Sequence, residues 1–129
     1  MNVADKECEH IRGNDWARGT KLILVWCLPL VILVASAWVG ERYRVVVWPA
    51  LLTWMGVACL LNARRCHRLH CYLTGPYFLV LALVALLHGL DVVPLGDYGW
   101  SMLSAALLIG GPFLVFAPEW ALGRYRRLT

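Results

Sequence analysis

Four long apolar stretches constrain this chain more than any other feature of its sequence. A helix that crosses a lipid bilayer needs roughly 20 predominantly apolar residues in a row. The stretches run from Leu22 to Gly40, from Val45 to Leu61, from Leu73 to Leu90 and from Trp100 to Phe116. One of them could be a buried helix of a soluble protein, but a chain of 129 residues cannot bury all four in a single small core. We therefore predict an all-α fold, an integral membrane bundle of four transmembrane helices.

The composition supports the same class and bears on the partners. Hydrophobic residues make up 60% of the chain and charged residues 16%, whereas soluble domains average about 45–50% and about 25%. The net charge of +4 is typical of some nucleic-acid-binding proteins. Here the basic residues flank the apolar stretches instead of forming one basic face. This arrangement is typical of membrane proteins, in which Lys and Arg contact lipid headgroups and set the orientation of the helices. We predict the lipid bilayer as the main partner and no binding of nucleic acid.

The distribution of Lys and Arg predicts how the helices are oriented. With four spans, ten of the twelve basic residues share one side of the membrane. These are Lys6, Arg12, Arg18, Lys21, Arg64, Arg65, Arg68, Arg124, Arg126 and Arg127. Since an excess of Lys and Arg marks the cytoplasmic side, both termini are expected in the cytoplasm. We predict a cytoplasmic N-terminal segment at 1–21, the transmembrane domain at 22–116, a basic cytoplasmic tail at 117–129, and location in the inner (cytoplasmic) membrane.

Small residues and prolines indicate where helices approach one another or bend. Lipid supplies no hydrophobic driving force between helices, so close contacts use small side chains. Candidate pairs at a spacing of four are Ser36 with Gly40, Ala85 with Gly89 and Ala106 with Gly110. Pro29, Pro49 and Pro112 are expected to bend their helices, because proline lacks the backbone N–H and collides with the preceding turn.

The one segment that could carry chemistry lies between the second and third stretches. Cys66, His67, His70 and Cys71 fall within six residues, and Cys59 precedes them by two turns of helix. If one helix continued through this segment, Cys66 would face His70 and His67 would face Cys71. Thiolate and imidazole ligands favour soft or borderline ions such as Hg(II), Cu(I) or Zn(II). We predict that Cys66, His70, Cys71, His67 and Cys59 bind or pass such an ion, in a protein that is not an enzyme.

Three alternatives stay open at this point. The cysteines could be ordinary reduced thiols in a basic loop whose arginines only contact lipid phosphates. The chain could be a non-catalytic membrane subunit, since 129 residues leave little room for a water-lined path without oligomerisation or a larger partner. It could also be a thiol–disulfide oxidoreductase of the quinone-linked, four-helix type. Such enzymes act on the exterior, where disulfides form, whereas the predicted topology places these thiols on the cytoplasmic side.

The same segment carries a resemblance. Asn62-Ala63-Arg64-Arg65-Cys66, His70-Cys71-Tyr72 and Thr74-Gly75-Pro76 resemble the signature of a family of small, uncharacterised prokaryotic membrane proteins, over residues 62–96. The resemblance implies that this segment is the focus of the family, with Cys66, His70 and Cys71 as its main positions. In size and span number the chain is also similar to small mercuric-ion transport proteins. It lacks the adjacent cysteine pair that those proteins carry in their first helix.

The predicted orientation can be tested with reporters fused after Thr129. A reporter that is active only in the cytoplasm should function there, and one that is active only outside the cell should not, because the basic tail resists translocation. The opposite result would place every thiol on the other side of the membrane.

Overall fold

The computed structural model describes residues 19–66 and 69–122, and every regular element in this part of the chain is helical. The elements form four rods, each long and apolar enough to cross a membrane, which confirms the predicted all-α class and the number of candidate spans. α1 begins with Gly19–Leu22, continues through a π-turn at Ile23–Cys27 and the segment Leu28–Ala35, and ends in a 3₁₀ turn at Ser36–Trp38. α2 is Glu41–Cys66 and α3 is Leu69–Gly89. α4 consists of Gly99–Ala105, a π-turn at Ala106–Gly110 and Gly111–Leu122.

The helices α2 and α3 form an antiparallel hairpin that is the centre of the fold. Val45 lies against the position of Gly89, Gly56 against Leu79, and Cys59 against Thr74, so residue numbers rise on one helix as they fall on the other. In their most apolar windows 39% and 44% of the residues of α2 and α3 are buried, compared with 17% for α1 and for α4. The hairpin is therefore the core, and α1 and α4 flank it.

The hairpin is tight because two glycines face each other across it. A Cβ atom at Gly56 would lie 3.0 Å from the carbonyl oxygen of Gly75, and one at Gly75 would lie 3.3 Å from the carbonyl oxygen of Gly56. The side chains of Leu79 and Leu60 fill the remaining space beside them. Of the glycines in the predicted small-residue pairs, Gly89 packs closely against Val45, whereas Gly40 has no atom near its Cβ position.

Both π-turns have the same relation to a proline. The first ends at Cys27, two residues before Pro29, and the second ends at Gly110, two residues before Pro112. A proline ring collides with the carbonyl group four residues earlier, and a wider turn relieves this collision. The expected disturbance at Pro29 and Pro112 is thus present, while Pro49 lies inside the continuous helix α2. In the second π-turn the hydroxyl of Tyr77 donates to the carbonyl oxygen of Ala106 at 2.5 Å.

A polar and aromatic cluster ties the helices together at the opposite end from residue 66. The indole N–H of Trp48 donates to the hydroxyl of Ser36 at 2.9 Å, and the Trp48 ring packs edge-on against Trp100. The ring of His88 lies 5.3 Å from the ring of Trp100, and its Nδ1 accepts the backbone N–H of Leu95 at 3.4 Å. His88 therefore holds the loop that precedes α4.

The outward faces of the helices are apolar. Val31 is 64% exposed, Val80 58% and Ile109 71%. Soluble monomers rarely expose contiguous apolar patches of more than a few hundred Å². Such a surface is typical of helices whose surroundings are lipid.

We expect Gly56→Ala to destabilise the hairpin by about 1–3 kcal/mol, the usual range for overpacking. In the absence of crowding, alanine would stabilise a helix by about 1 kcal/mol relative to glycine. A loss of stability in Gly56→Ala would therefore report crowding against Gly75. The measurement is loss of helical circular dichroism during unfolding in denaturing detergent. Gly40→Ala is the matched control and should leave the midpoint unchanged, because nothing lies within 4 Å of its Cβ position. Equal midpoints for all three proteins would contradict the proposed close approach.

Candidate functional site

The structure gathers three of the five predicted ligands at one end of the hairpin. Cys59 lies in the last turns of α2, and His70 and Cys71 lie in the first turn of α3. Because α2 ends at Cys66 and α3 begins at Leu69, the spacing considered for a single continuous helix does not apply across this segment. The side chain of Cys66 and all of His67 lie outside the described part of the chain, and so does Cys8.

Cys59 and Cys71 form a buried thiol pair. The two side chains are 1% and 0% exposed, and hydrogen bonds that cross between α2 and α3 place them side by side. Each sulfur has a further polar neighbour: Cys59 Sγ lies 3.5 Å from the hydroxyl of Thr74, and the side-chain amide of Asn62 donates to Cys71 Sγ at 3.5 Å. Both cysteines are free thiols in this structure.

An imidazole and a carboxylate stand beside this pair. Nε2 of His70 lies 3.4 Å from Cys71 Sγ, and Nδ1 of the same ring lies 2.5 Å from Oε1 of Glu119. The side chains of His70 and Glu119 are 8% and 14% exposed, so the contact is largely shielded from the surroundings. Glu119 comes from the last turns of α4, which brings a third helix to the site.

The donor and acceptor inventory fixes where the protons can lie. An ionised carboxylate only accepts hydrogen bonds, so Nδ1 of His70 carries the proton shared with Glu119. In the neutral ring Nε2 is then an acceptor, and it faces the thiol of Cys71. Thr74 uses its hydroxyl proton to bond the carbonyl oxygen of His70 at 2.6 Å. The contact between Cys59 and Thr74 therefore has the thiol as donor.

A cavity of about 320 Å³ adjoins the site, and all four helices line it. Its polar lining comes from Cys59, His70 and Thr74, with Cys27 on α1. Its apolar lining is Leu22, Trp26, Leu30, Met55, Phe78, Leu107, Val115 and Phe116, together with Gly111 and Pro112. Cys59 is thus the member of the thiol pair that faces open space, while Cys71 lies behind it against His70.

The site does not resemble a zinc centre. Structural zinc sites hold the ion with four Cys or His ligands. Among the side chains that the structure describes, which do not include those of Cys66 and His67, no group of three or more His, Cys, Asp or Glu is arranged to hold a metal ion. The imidazole of His70 is turned to Glu119 and Cys71 instead of presenting a free nitrogen to the cavity.

Sequence reasoning missed three residues of the site. The sequence places Glu119 in the predicted cytoplasmic tail. It is the one acidic residue between Phe116 and Thr129, and this isolation among basic residues could have indicated that it has a specific partner. Asn62 and Thr74 belong to the segment that carries the family resemblance, but only the folded hairpin shows that they bond to the thiols.

Comparison of the chain with protein-family models, with curated proteins and with solved structures finds no match.

Proposed function

We propose that this chain is an integral protein of the inner membrane, with four spans and both termini in the cytoplasm. Four helices of sufficient length and hydropathy support the proposal, together with their apolar outward faces. The basic residues concentrated on one side support the orientation. In this arrangement the thiol pair lies within the apolar bundle near its cytoplasmic end.

We propose that the protein is a membrane dithiol–disulfide redox protein that works through Cys59 and Cys71. The observation that carries this proposal is two buried thiols placed side by side between α2 and α3, one of them 3.4 Å from an imidazole that is itself held by a carboxylate. A nucleophile, a base and a group that orients the base form the general arrangement for activating a thiol. The thiolate is the reactive form in exchange reactions.

Each residue has a part in that chemistry. Forming a disulfide between Cys59 and Cys71 breaks two S–H bonds, makes one S–S bond and passes two electrons and two protons to an acceptor. His70 is placed to take the proton of Cys71, and Glu119 to stabilise the resulting imidazolium. Cys59 faces the cavity, so it is the sulfur that an acceptor meets first.

Burial answers the objection that cytoplasmic thiols stay reduced. Glutathione and thioredoxin act by thiol–disulfide exchange, which requires access to the sulfur atom. Cys59 and Cys71 are almost fully enclosed by the bundle, so glutathione and thioredoxin do not reach them directly, whereas a smaller dithiol such as dithiothreitol can reach Cys59 through the adjoining cavity. We therefore favour thiol redox chemistry over the binding or passage of a soft metal ion, which the sequence predicted.

The test is a thiol count on purified protein after mild oxidation and acid quenching. We expect Cys59 and Cys71 to become protected from alkylation together, and peptide mass spectrometry to show them joined, because the two side chains lie side by side between α2 and α3. Cys27→Ser is the control and should behave like the unmodified chain. In Cys71→Ser, Cys59 should stay free. Two thiols that both remain alkylatable after oxidation would remove the proposal.

A second candidate function is the binding of a soft metal ion. Two facing thiolates suffice for Cu(I) or Hg(II), which thiolate ligands select over harder cations. The position of Cys59 beside Cys71 favours this candidate, and Cys27 on the same cavity offers a thiol for transfer.

If the second candidate is correct, reduced protein should take up Cu(I) in competition with a chromophoric chelator, at one ion per chain. Cys59→Ser and Cys71→Ser should each abolish the uptake, whereas His88→Ala, at the opposite end of the bundle, should leave it unchanged. Absence of uptake by freshly reduced protein would exclude the metal role.

A further inference from the structure

The cavity beside the thiol pair has the composition of a site for a ring-shaped, lipid-soluble ligand. Small-molecule sites are mostly apolar clefts of roughly 300–1,000 Å³ with a few polar groups that orient the ligand. This cavity, at about 320 Å³, is at the small end of that range. Along α3 its lining changes from His70 and Thr74 in the first turns to Phe78 one turn further on, so one end is polar and the other apolar.

The cavity opens towards the surroundings of the bundle. Leu30 on α1 and Phe116 on α4 line it and are 37% and 69% exposed. The two helices that carry these residues pack mainly against the central hairpin, with little contact between themselves. A ligand dissolved in lipid could therefore enter between α1 and α4 without crossing water.

Both π-turns of the chain border this cavity. Trp26 and Cys27 belong to the first π-turn and Leu107 to the second, and all three line the cavity. π-Turns within α-helices occur frequently at functional sites. The two loosely packed helices are thus locally widened at the level where they face the thiol pair.

We propose that this cavity binds a lipid-soluble quinone, which accepts the two electrons and two protons of the dithiol formed by Cys59 and Cys71. The inference rests on the proposed redox function and names its acceptor. The ring of a quinone matches the apolar lining, and one of its two carbonyl oxygens, which stand on opposite sides of the ring, matches the polar end. The thiol of Cys59 and the hydroxyl-bearing side chain of Thr74 lie there beside the imidazole of His70.

The reaction balances without another reactant. The S–H bonds of Cys59 and Cys71 break and one S–S bond forms between the two sulfurs. The quinone gains two electrons, and its two carbonyl oxygens each gain a proton, giving the hydroquinone. The proton of Cys71 passes first to Nε2 of His70, which lies 3.4 Å from the sulfur. The hydroquinone leaves by the lipid-facing opening.

The experiment uses the full chain, purified in detergent, stripped of bound lipid and fully reduced. Decylubiquinone is the probe, and its reduction is followed by ultraviolet absorbance while the remaining thiols are counted. We expect one quinone reduced per chain, with Cys59 and Cys71 lost from the thiol count at the same rate. Val115→Trp fills the cavity and should abolish quinone reduction. Ile109→Trp, whose position is 71% exposed on the same helix, should react like the unmodified chain.

Equilibrium titration with dithiothreitol separates failure of this inference from failure of the redox function. Val115→Trp should retain the disulfide and its reduction potential, because the thiol pair itself is untouched. If Val115→Trp does not fold, Gly111→Leu replaces it, since a Cβ there lies at an ordinary contact distance of 3.8 Å from Phe78. A disulfide that forms with dithiothreitol buffers but never with quinone overturns the inference alone. Unchanged quinone reduction in the filled variants overturns the cavity as its site. Failure of any disulfide to form overturns both proposals.

Discussion

The close approach of α2 and α3 at Gly56 and Gly75 is the constraint on which the rest of the structure depends. Two glycines without side chains let the backbones come together over the middle of the hairpin. Without a hydrophobic force between helices in lipid, such backbone contact is a main source of association. The same contact fixes the register of the hairpin, and that register places Cys59, one turn after Gly56, against Thr74, and Asn62 against Cys71. The chemistry of the site is therefore a consequence of helix packing.

The contact between His70 and Glu119 has a different role, because it joins a flanking helix to the hairpin through a hydrogen bond between an imidazole and a carboxylate. Removing ionised groups from water carries a large desolvation cost, which a partner with good geometry offsets. In the interior of a membrane protein such groups are uncommon and usually belong to a functional site. The proposed redox function gives the pair a purpose, since a disulfide that forms and breaks must release and recover protons at the sulfur atoms. A purely structural pair would not need to contact a thiol.

The arrangement also gives the two cysteines different surroundings: one faces the cavity, and the other faces the group that can accept a proton. Cys59 faces the cavity, whereas Cys71 lies beside it and contacts the imidazole. A reactant therefore meets one sulfur while the proton acceptor serves the other. The apolar lining and the two π-turns place this site where the flanking helices pack least tightly. The proposed acceptor and the proposed route of entry both follow from that looseness.

The sequence by itself determined the number of helices, their approximate limits and the segment around which the candidate site is built. Apolar length and the periodicity of a helix are local properties, so they can be read without knowing what each helix touches. The sequence also singled out Cys59, His70 and Cys71. It did not determine their partners: the contact of Gly56 with Gly75, the pairing of His70 with Glu119 and the cavity shared by four helices all join positions far apart in the chain. Only the tertiary structure decided these, because the helix register depends on which small surfaces meet, and nearly uniform apolar faces leave many registers equally acceptable until the whole bundle is packed.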